Sequence, residues 1–521
     1  MKTLSIPEVL DASWPVDLAL FTTYGFDALF FEECLLRCKM LTHARRIAIF
    51  ADERELERAS QSMSRPPRFL NQRYLVLPMR VPGRGVFHPK LGLLIGEKKA
   101  LLICGSANLT QAGCCSNLEL IHVIECELPD NENEEQKPNN VSLLQQVLDF
   151  FTQAIALAPE SMRCIVESWL DEQRQLTPWL DEKGKDDGDS PKLLHTLRGP
   201  LWQQVLRWLG SVPADELSVL SPFYDHDLNL LKRARSLWPK CLVRVIAQQQ
   251  TSLLPTQHLA KMKGVKLHEL KGAPNRRLHA KVCHIRSGKR GLILAGSANF
   301  TAAAYDGHNV ETVIAWECPV EEFDAIFKHP LVLKNISAED FESGDESAPE
   351  DNVVNSSAQP LGIRSALLDA NGAIWIERDH AGAKISEWKL DLFSPNRRSF
   401  DQQGDSDLIG SPRLTIAADG RLMAQVTERM LKGESASLQV RLRTDVANGP
   451  RVWLVQETAL TQNANGEDST LSRERLVQES GRGLVEYLDE LGATQGEASV
   501  IEYLQRVNIR FHESNEITRN K

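Results

Sequence analysis

With 521 residues, 42% of them apolar and 25% charged, the chain can build about two to four globular domains and is too apolar to be disordered. No stretch approaches the roughly 20 apolar residues of a membrane helix. The first residues lack an apolar core followed by a small-residue cleavage site, so neither a spanning nor a secreted protein is expected. The net charge of −10 excludes a surface coated for polyanions but leaves room for local basic patches.

In chain order, Val16 to Phe21 reads as a strand that ends at Thr22–Asp27. A helical pattern follows through Leu41, and Arg46 to Ala51 is a second strand. Leu91 to Ile95 and Lys99 to Cys104 read as two strands around the polar break Gly96-Glu97-Lys98. Val141 to Leu157, Met162 to Leu170 and Leu193 to Leu209 carry helical periodicity and predict a helical connector over residues 141–210. Leu217 to Leu220 then ends at Ser221–Asp225, a helix runs through Leu237, and Cys241 to Ala247 is a strand. Alternating strand and helix predicts parallel pairing, with the loops at Thr22–Asp27 and Ser221–Asp225 at the carboxyl ends of strands, where open α/β sheets bind ligands. Tyr24 and Tyr224 are expected in the core or, second, at a rim.

Residues 336–360 are acidic and serine-rich, a linker. Beyond it, short strands separated by turn signals such as Asn371-Gly372 and Asp419-Gly420 predict a β-sandwich or barrel over 361–460. A helical tail is expected over 461–521. None of the ten cysteines forms a CxxC pair. Cys104, Cys126, Cys283 and Cys318 sit in apolar runs as small buried hydrophobes, and a reducing cytoplasm is the expected compartment.

One pattern occurs twice. His88-Pro89-Lys90, Gly105-Ser106-Ala107-Asn108, Asn117-Leu118-Glu119 and Glu125-Cys126 return as His279-Ala280-Lys281, Gly296-Ser297-Ala298-Asn299, Asn309-Val310-Glu311 and Glu317-Cys318. The offset is 191 residues at the histidines and 192 from Asn117 onward, so a single inserted residue separates the copies. Chance does not hold that register over four blocks, and the chain reads as a duplicated unit over 1–140 and 211–335. On a strand, His and Lys two apart share a face, and Gly-Ser-x-Asn supplies small and polar groups where the backbone approaches a ligand. Each copy offers half of a polar pocket.

His-x-Lys, fourteen residues, Gly-Ser-x-Asn and a downstream Glu, all present twice, resemble the phospholipase D superfamily of phosphodiesterases over roughly residues 15–330. Most members have an Asp five residues after the Lys; here those positions are Ile95 and Arg286. That pattern is similar to the tyrosyl-DNA phosphodiesterase branch. The resemblance implies an α/β fold of two pseudo-symmetric repeats, with mixed, mainly parallel sheets flanked by helices. It further implies a metal-independent, cofactor-free, two-step reaction through a phosphohistidine, with His88 as nucleophile and His279 as general acid and then base.

The residue types suit that chemistry. An imidazole titrates near neutrality and can attack or protonate. Lys90 and Lys281 would hold non-bridging oxygens, with Asn108 and Asn299 donating to the same oxygens and Ser106 and Ser297 in support. Glu119 and Glu311 would accept from an imidazole N–H and orient it. Arg80, Arg84, Arg276 and Arg277 concentrate positive charge beside the motifs and are the nucleic-acid-binding candidates, while acidic residues gather in linkers. The expected partner is nucleic acid, DNA first, with no membrane. A protein partner could dock on the β region or the tail. The expected activity is a nuclease or DNA-end-processing phosphodiesterase. A phospholipid-processing enzyme and a catalytically silent nucleic-acid-binding module are the alternatives.

Overall fold

The computed structural model describes residues 5–127, 140–181, 190–210, 212–271, 276–320, 332–344, 361–378, 388–395, 405–431 and 437–465. The expected helical tail beyond 465 and most of the acidic linkers lie outside these residues.

The first sheet holds β1 (Leu18–Thr23), β2 (Arg46–Asp52), β3 (Leu75–Met79), β4 (Leu91–Ile95), β5 (Lys99–Gly105) and β6 (Ile121–Glu127) in the order β3-β2-β1-β4-β5-β6. β1, β2 and β4 are buried throughout, as runs without polar alternation require when both faces are covered. The second sheet holds β7 (Lys192–His195), β8 (Glu216–Leu220), β9 (Leu242–Ala247), β10 (Val265–Lys271), β11 (Val282–Ser287), β12 (Arg290–Gly296), β13 (Thr312–Pro319) and β14 (Val332–Ile336). Its order is β14-β10-β9-β8-β11-β12-β13-β7. The six strands from β10 to β13 follow the order and the senses of the first sheet from β3 to β6.

The expectation of mainly parallel sheets is corrected. Only β1–β2–β3 and β8–β9–β10 pair in parallel; every other neighbour in the two sheets is antiparallel. The reason is connection length. Parallel neighbours need a crossover, which the segments around Ala28–Phe30 and Asn229–Leu237 supply, whereas the three-residue break Gly96–Lys98 permits only a hairpin.

The predicted helix over Leu193–Leu209 is also corrected. Lys192–His195 is strand β7 on the edge of β13, and the helix runs only from Leu201 to Leu209. Gly199, at φ +117°, and Pro200 at the cap break any continuous helix there. Helices Val141–Ala154 and Glu160–Leu176 bury Leu144, Val147, Phe150, Phe151 and Val166 against Leu20, Phe50 and Leu102 of the first sheet and Leu193, Val310 and Ile314 beside the second. At about 1.5–3 kcal/mol for each fully buried large side chain, this cluster is a principal bond between the sheets.

Beyond 360, a five-stranded and a four-stranded sheet share one apolar cluster that includes Ile374, Ile376, Leu390, Leu392, Val440 and Leu442. Gly372 and Gly420 turn their hairpins at positive φ, as the two turn signals require. This region meets the first sheet's side of the molecule: Gln456 N donates to Asn71 O at 3.0 Å, and Arg364 Nη2 donates to Leu157 O at 2.9 Å. Among the described residues no helix is long and apolar enough to cross a membrane.

Candidate active site

Each His-x-Lys segment lies in the last residues before the strand that pairs with β1 or with β8. The side chain at the carboxyl end of the neighbouring parallel strand fixes its approach. Phe87 N donates to Asp52 Oδ2 at 2.8 Å, and Leu278 N donates to Gln248 Oε1 at 2.6 Å. The backbones then cross between the halves. Phe87 bridges Val310 and Leu278 bridges Leu118. His88 N donates to Val310 O at 2.9 Å, and His279 N donates to Leu118 O at 3.0 Å.

The crossing delivers a carboxylate from the opposite copy to each imidazole. His88 Nδ1 lies 2.9 Å from Glu311 Oε2, and His279 Nδ1 lies 2.6 Å from Glu119 Oε1. An ionised carboxylate only accepts, so Nδ1 carries the hydrogen in both rings. Nε2 is then a lone-pair base when the ring is neutral and an acid when it is charged.

Burial by itself would raise both glutamates. For Glu119 this is outweighed by the charge and hydrogen bond of His279, by Lys281 and by Ser106; for Glu311 by His88, Lys90 and Ser297. Both carboxyls are held below the usual carboxylate range. Each lysine folds back on its own motif: Lys90 Nζ donates to His88 O at 3.0 Å and Lys281 Nζ to His279 O at 2.7 Å.

The motif serines bond to the two carboxylates. Ser106 Oγ donates to Glu119 Oε2 at 2.5 Å, and Ser297 Oγ donates to Glu311. Their hydroxyls steady the carboxylates, and each also accepts a backbone N–H, from Leu120 and Thr312 respectively, at 3.0 Å. Asn117 and Asn309 donate to the same two carboxylates at 3.2 and 3.4 Å. The motif glycines are explained by close approach. A Cβ on Gly105 would sit 2.3 Å from Leu120 O, and one on Gly296 would sit 2.3 Å from Thr312 O. Gly105→Ala or Gly296→Ala should therefore destabilise the fold by about 1–3 kcal/mol, read as a lower midpoint in thermal unfolding. An unchanged midpoint would mean that the strands can part without cost.

The asparagines differ in their surroundings. Asn108 Oδ1 accepts from the backbone N–H of Tyr24 at 3.3 Å and of Gly25 at 3.4 Å. Both polar atoms of the Asn299 amide are buried and have no hydrogen-bond partner among the described residues. Of the arginines, Arg80 is engaged bidentately by Glu53 at 2.5 and 2.8 Å, so its charge is locally neutralised. Arg84 and Arg277 are exposed, Arg276 is half-buried, and the Arg277 guanidinium lies 6.0 Å from the Phe223 ring.

Two tyrosines expected in the core lie there, and Thr196, Asp52 and Gln248 support the site without having been singled out in the sequence. Tyr24 is buried as a core residue, yet its ring stands 5.2 Å from His88, edge to face, and its hydroxyl donates to Glu55 at 3.1 Å. Tyr224 is a core residue whose hydroxyl donates to Ile246 O at 3.2 Å. Thr196, in the connector, donates to Asn309 O and accepts from Glu311 N, both at 2.8 Å. Asp52 and Gln248 had one available signal, a polar residue closing an apolar strand. Nothing in the sequence marks Thr196. Among the described residues no group of three or more His, Cys, Asp or Glu is placed to hold a metal ion. Burial pushes the Cys104 and Cys283 thiols up to about 12, in keeping with packing roles.

No protein-family model matches the sequence, and no curated protein sequence matches it. Among solved structures the chain is similar to a yeast tyrosyl-DNA phosphodiesterase variant at 10% identity and a TM-score of 0.39, over 60% of this chain and 84% of that one. It is similar to a polyphosphate kinase from Porphyromonas gingivalis at 11% identity and a TM-score of 0.33, over 66% and 48%. A phospholipase D family member, Nuc from Salmonella typhimurium, matches at 18% identity and a TM-score of 0.20, over 28% and 98%.

Proposed function

We propose that the chain is a phosphodiesterase of the phospholipase D type, built from two copies of one unit, that hydrolyses nucleic acid through a covalent phosphohistidine. The observation that carries this reading is the pair of crossed contacts, His88 with Glu311 and His279 with Glu119. Two imidazoles held alike, each with a buried lysine two residues on, are what in-line displacement at one phosphorus requires.

In the first step His88 Nε2 attacks phosphorus. The P–O bond to the leaving group breaks, and the departing oxygen takes its proton from His279 Nε2. In the second step neutral His279 takes a proton from water, the water oxygen attacks phosphorus, and the P–N bond breaks. The sum is hydrolysis of one phosphodiester bond, with both rings restored. Lys90 and Lys281 offset the charge on the non-bridging oxygens as buried ammonium groups two residues from each ring. The asparagine amides add neutral donors. Glu311 and Glu119 orient the rings and stabilise their charged forms. Exposed Arg84 and Arg277, one beside each histidine segment, support a polyanionic substrate.

The test is incubation with labelled single- and double-stranded DNA in excess EDTA. Cleavage is the expected result. Salt-sensitive binding without cleavage would leave a silent binding module in its place, and cleavage abolished by EDTA would refute the mechanism.

A further inference from the structure

The two copies are not equivalent at their asparagines. Strand pairing sets the correspondence between them: Phe21 faces Gly92 as Val219 faces Cys283. Two further pairs of contacts keep the same register. Leu109 N donates to Thr23 Oγ1 at 3.0 Å and Phe300 N to Ser221 Oγ at 3.2 Å; Phe26 bridges Leu109 as Tyr224 bridges Phe300. Tyr24 therefore corresponds to Pro222, and Gly25 to Phe223.

The consequence is chemical. Tyr24 and Gly25 each give an N–H to Asn108 Oδ1. Pro222 has no N–H to give, and Phe223 N turns to Ser221 Oγ at 3.4 Å. Asn299, 1% exposed, is left with donor and acceptor both unmatched among the described residues. A buried polar group without a partner is costly enough that folded chains rarely carry one unless something else supplies the partner.

We propose that Asn299 is the amide which the substrate itself sets in order, that Asn108 is set in advance, and that Pro222 is the positioning residue responsible for the difference. This rests on the phosphodiesterase reading for the identity of the ligand, but not for the unequal anchoring. Anchored through Oδ1, Asn108 presents Nδ2 in one orientation before any ligand arrives. Asn299 gains its first polar partner when an oxyanion enters, so its contribution appears in binding more than in turnover.

The experiment uses the full chain and compares Asn108→Ala, Asn299→Ala and Pro222→Ala, with orthovanadate as the anion probe. Without anion, Asn108→Ala should lower the thermal midpoint more than Asn299→Ala, because equal truncations remove real bonds only in the first. Saturating orthovanadate should then stabilise Asn299→Ala less than wild type. Pro222→Ala restores an N–H beside Asn299 and should tighten orthovanadate binding about twofold to tenfold. KM on a phosphodiester should fall in parallel, with kcat little changed. Equal destabilisation by the two asparagine variants without anion, or unchanged orthovanadate affinity in folded Pro222→Ala, would overturn the proposal. A wild type that cleaves no phosphodiester yet shows the unequal midpoints would instead overturn the reading of the substrate.

Discussion

His88→Ala should lower phosphodiester turnover by about 10⁴-fold or more, and His279→Ala by a similar factor on substrates with a poor leaving group. Removing a nucleophile or the acid paired with it disables a step that the remaining residues cannot replace. The two losses differ in what accumulates. With phosphate-labelled DNA and rapid denaturation, wild type should carry acid-labile label and His88→Ala none. A p-nitrophenyl phosphodiester needs no proton on its leaving oxygen, so His279→Ala should still form the covalent intermediate and then hold it. Label on His88→Ala with none on His279→Ala would reverse the two roles. Label on both at wild-type turnover would remove the rings from the covalent step.

Glu311→Gln and Glu119→Gln should each cost about 10²–10⁴-fold in turnover, and at different steps. Glu311 serves His88, so its loss should slow formation of the intermediate; Glu119 serves His279, so its loss should slow breakdown. Were each glutamate to serve the histidine of its own copy, the two effects would be exchanged, which single-turnover kinetics reads directly. The substitutions also carry a pH signature. Burial, outweighed by the neighbouring histidine, lysine and serine, leaves both carboxyls lowered in the folded chain. A lowered folded value gives stability that is present above the unfolded value and lost as pH falls through the folded one. The stability gap between wild type and either glutamine variant should be full at neutral pH and should close only below the ordinary carboxylate range. A gap that widened on acidification would contradict the ionised pairs.

Much of this arrangement was legible because chemistry-bearing residues recur in register. His-x-Lys, Gly-Ser-x-Asn and the downstream Glu could be read from spacing alone, and the strands around them from apolar runs. Which glutamate meets which histidine could not. The separation of 223 residues between His88 and Glu311 is set by backbone bridges such as Phe87 with Val310, and no local pattern encodes those. The contact of each serine with a glutamate was illegible for a related reason: a hydroxyl near a phosphate site and a hydroxyl bonded to the carboxylate behind it share one sequence signature. The strand sense was overread because alternating strand and helix describes only β1–β3 of the first sheet and β8–β10 of the second. Leu193–His195 reads as the start of a helix because the four residues of strand β7 are too few to establish a period of two against a longer 3.6-residue pattern.

The exchange of carboxylates between copies has a consequence for how such a chain can change. Neither half holds a complete histidine–carboxylate pair, because each ring and the anion beside it lie on different halves. A substitution near Glu311 is answered at His88, and one near Glu119 at His279. A change that displaces either carboxylate should therefore be felt first at a ring 223 or 160 residues away along the chain.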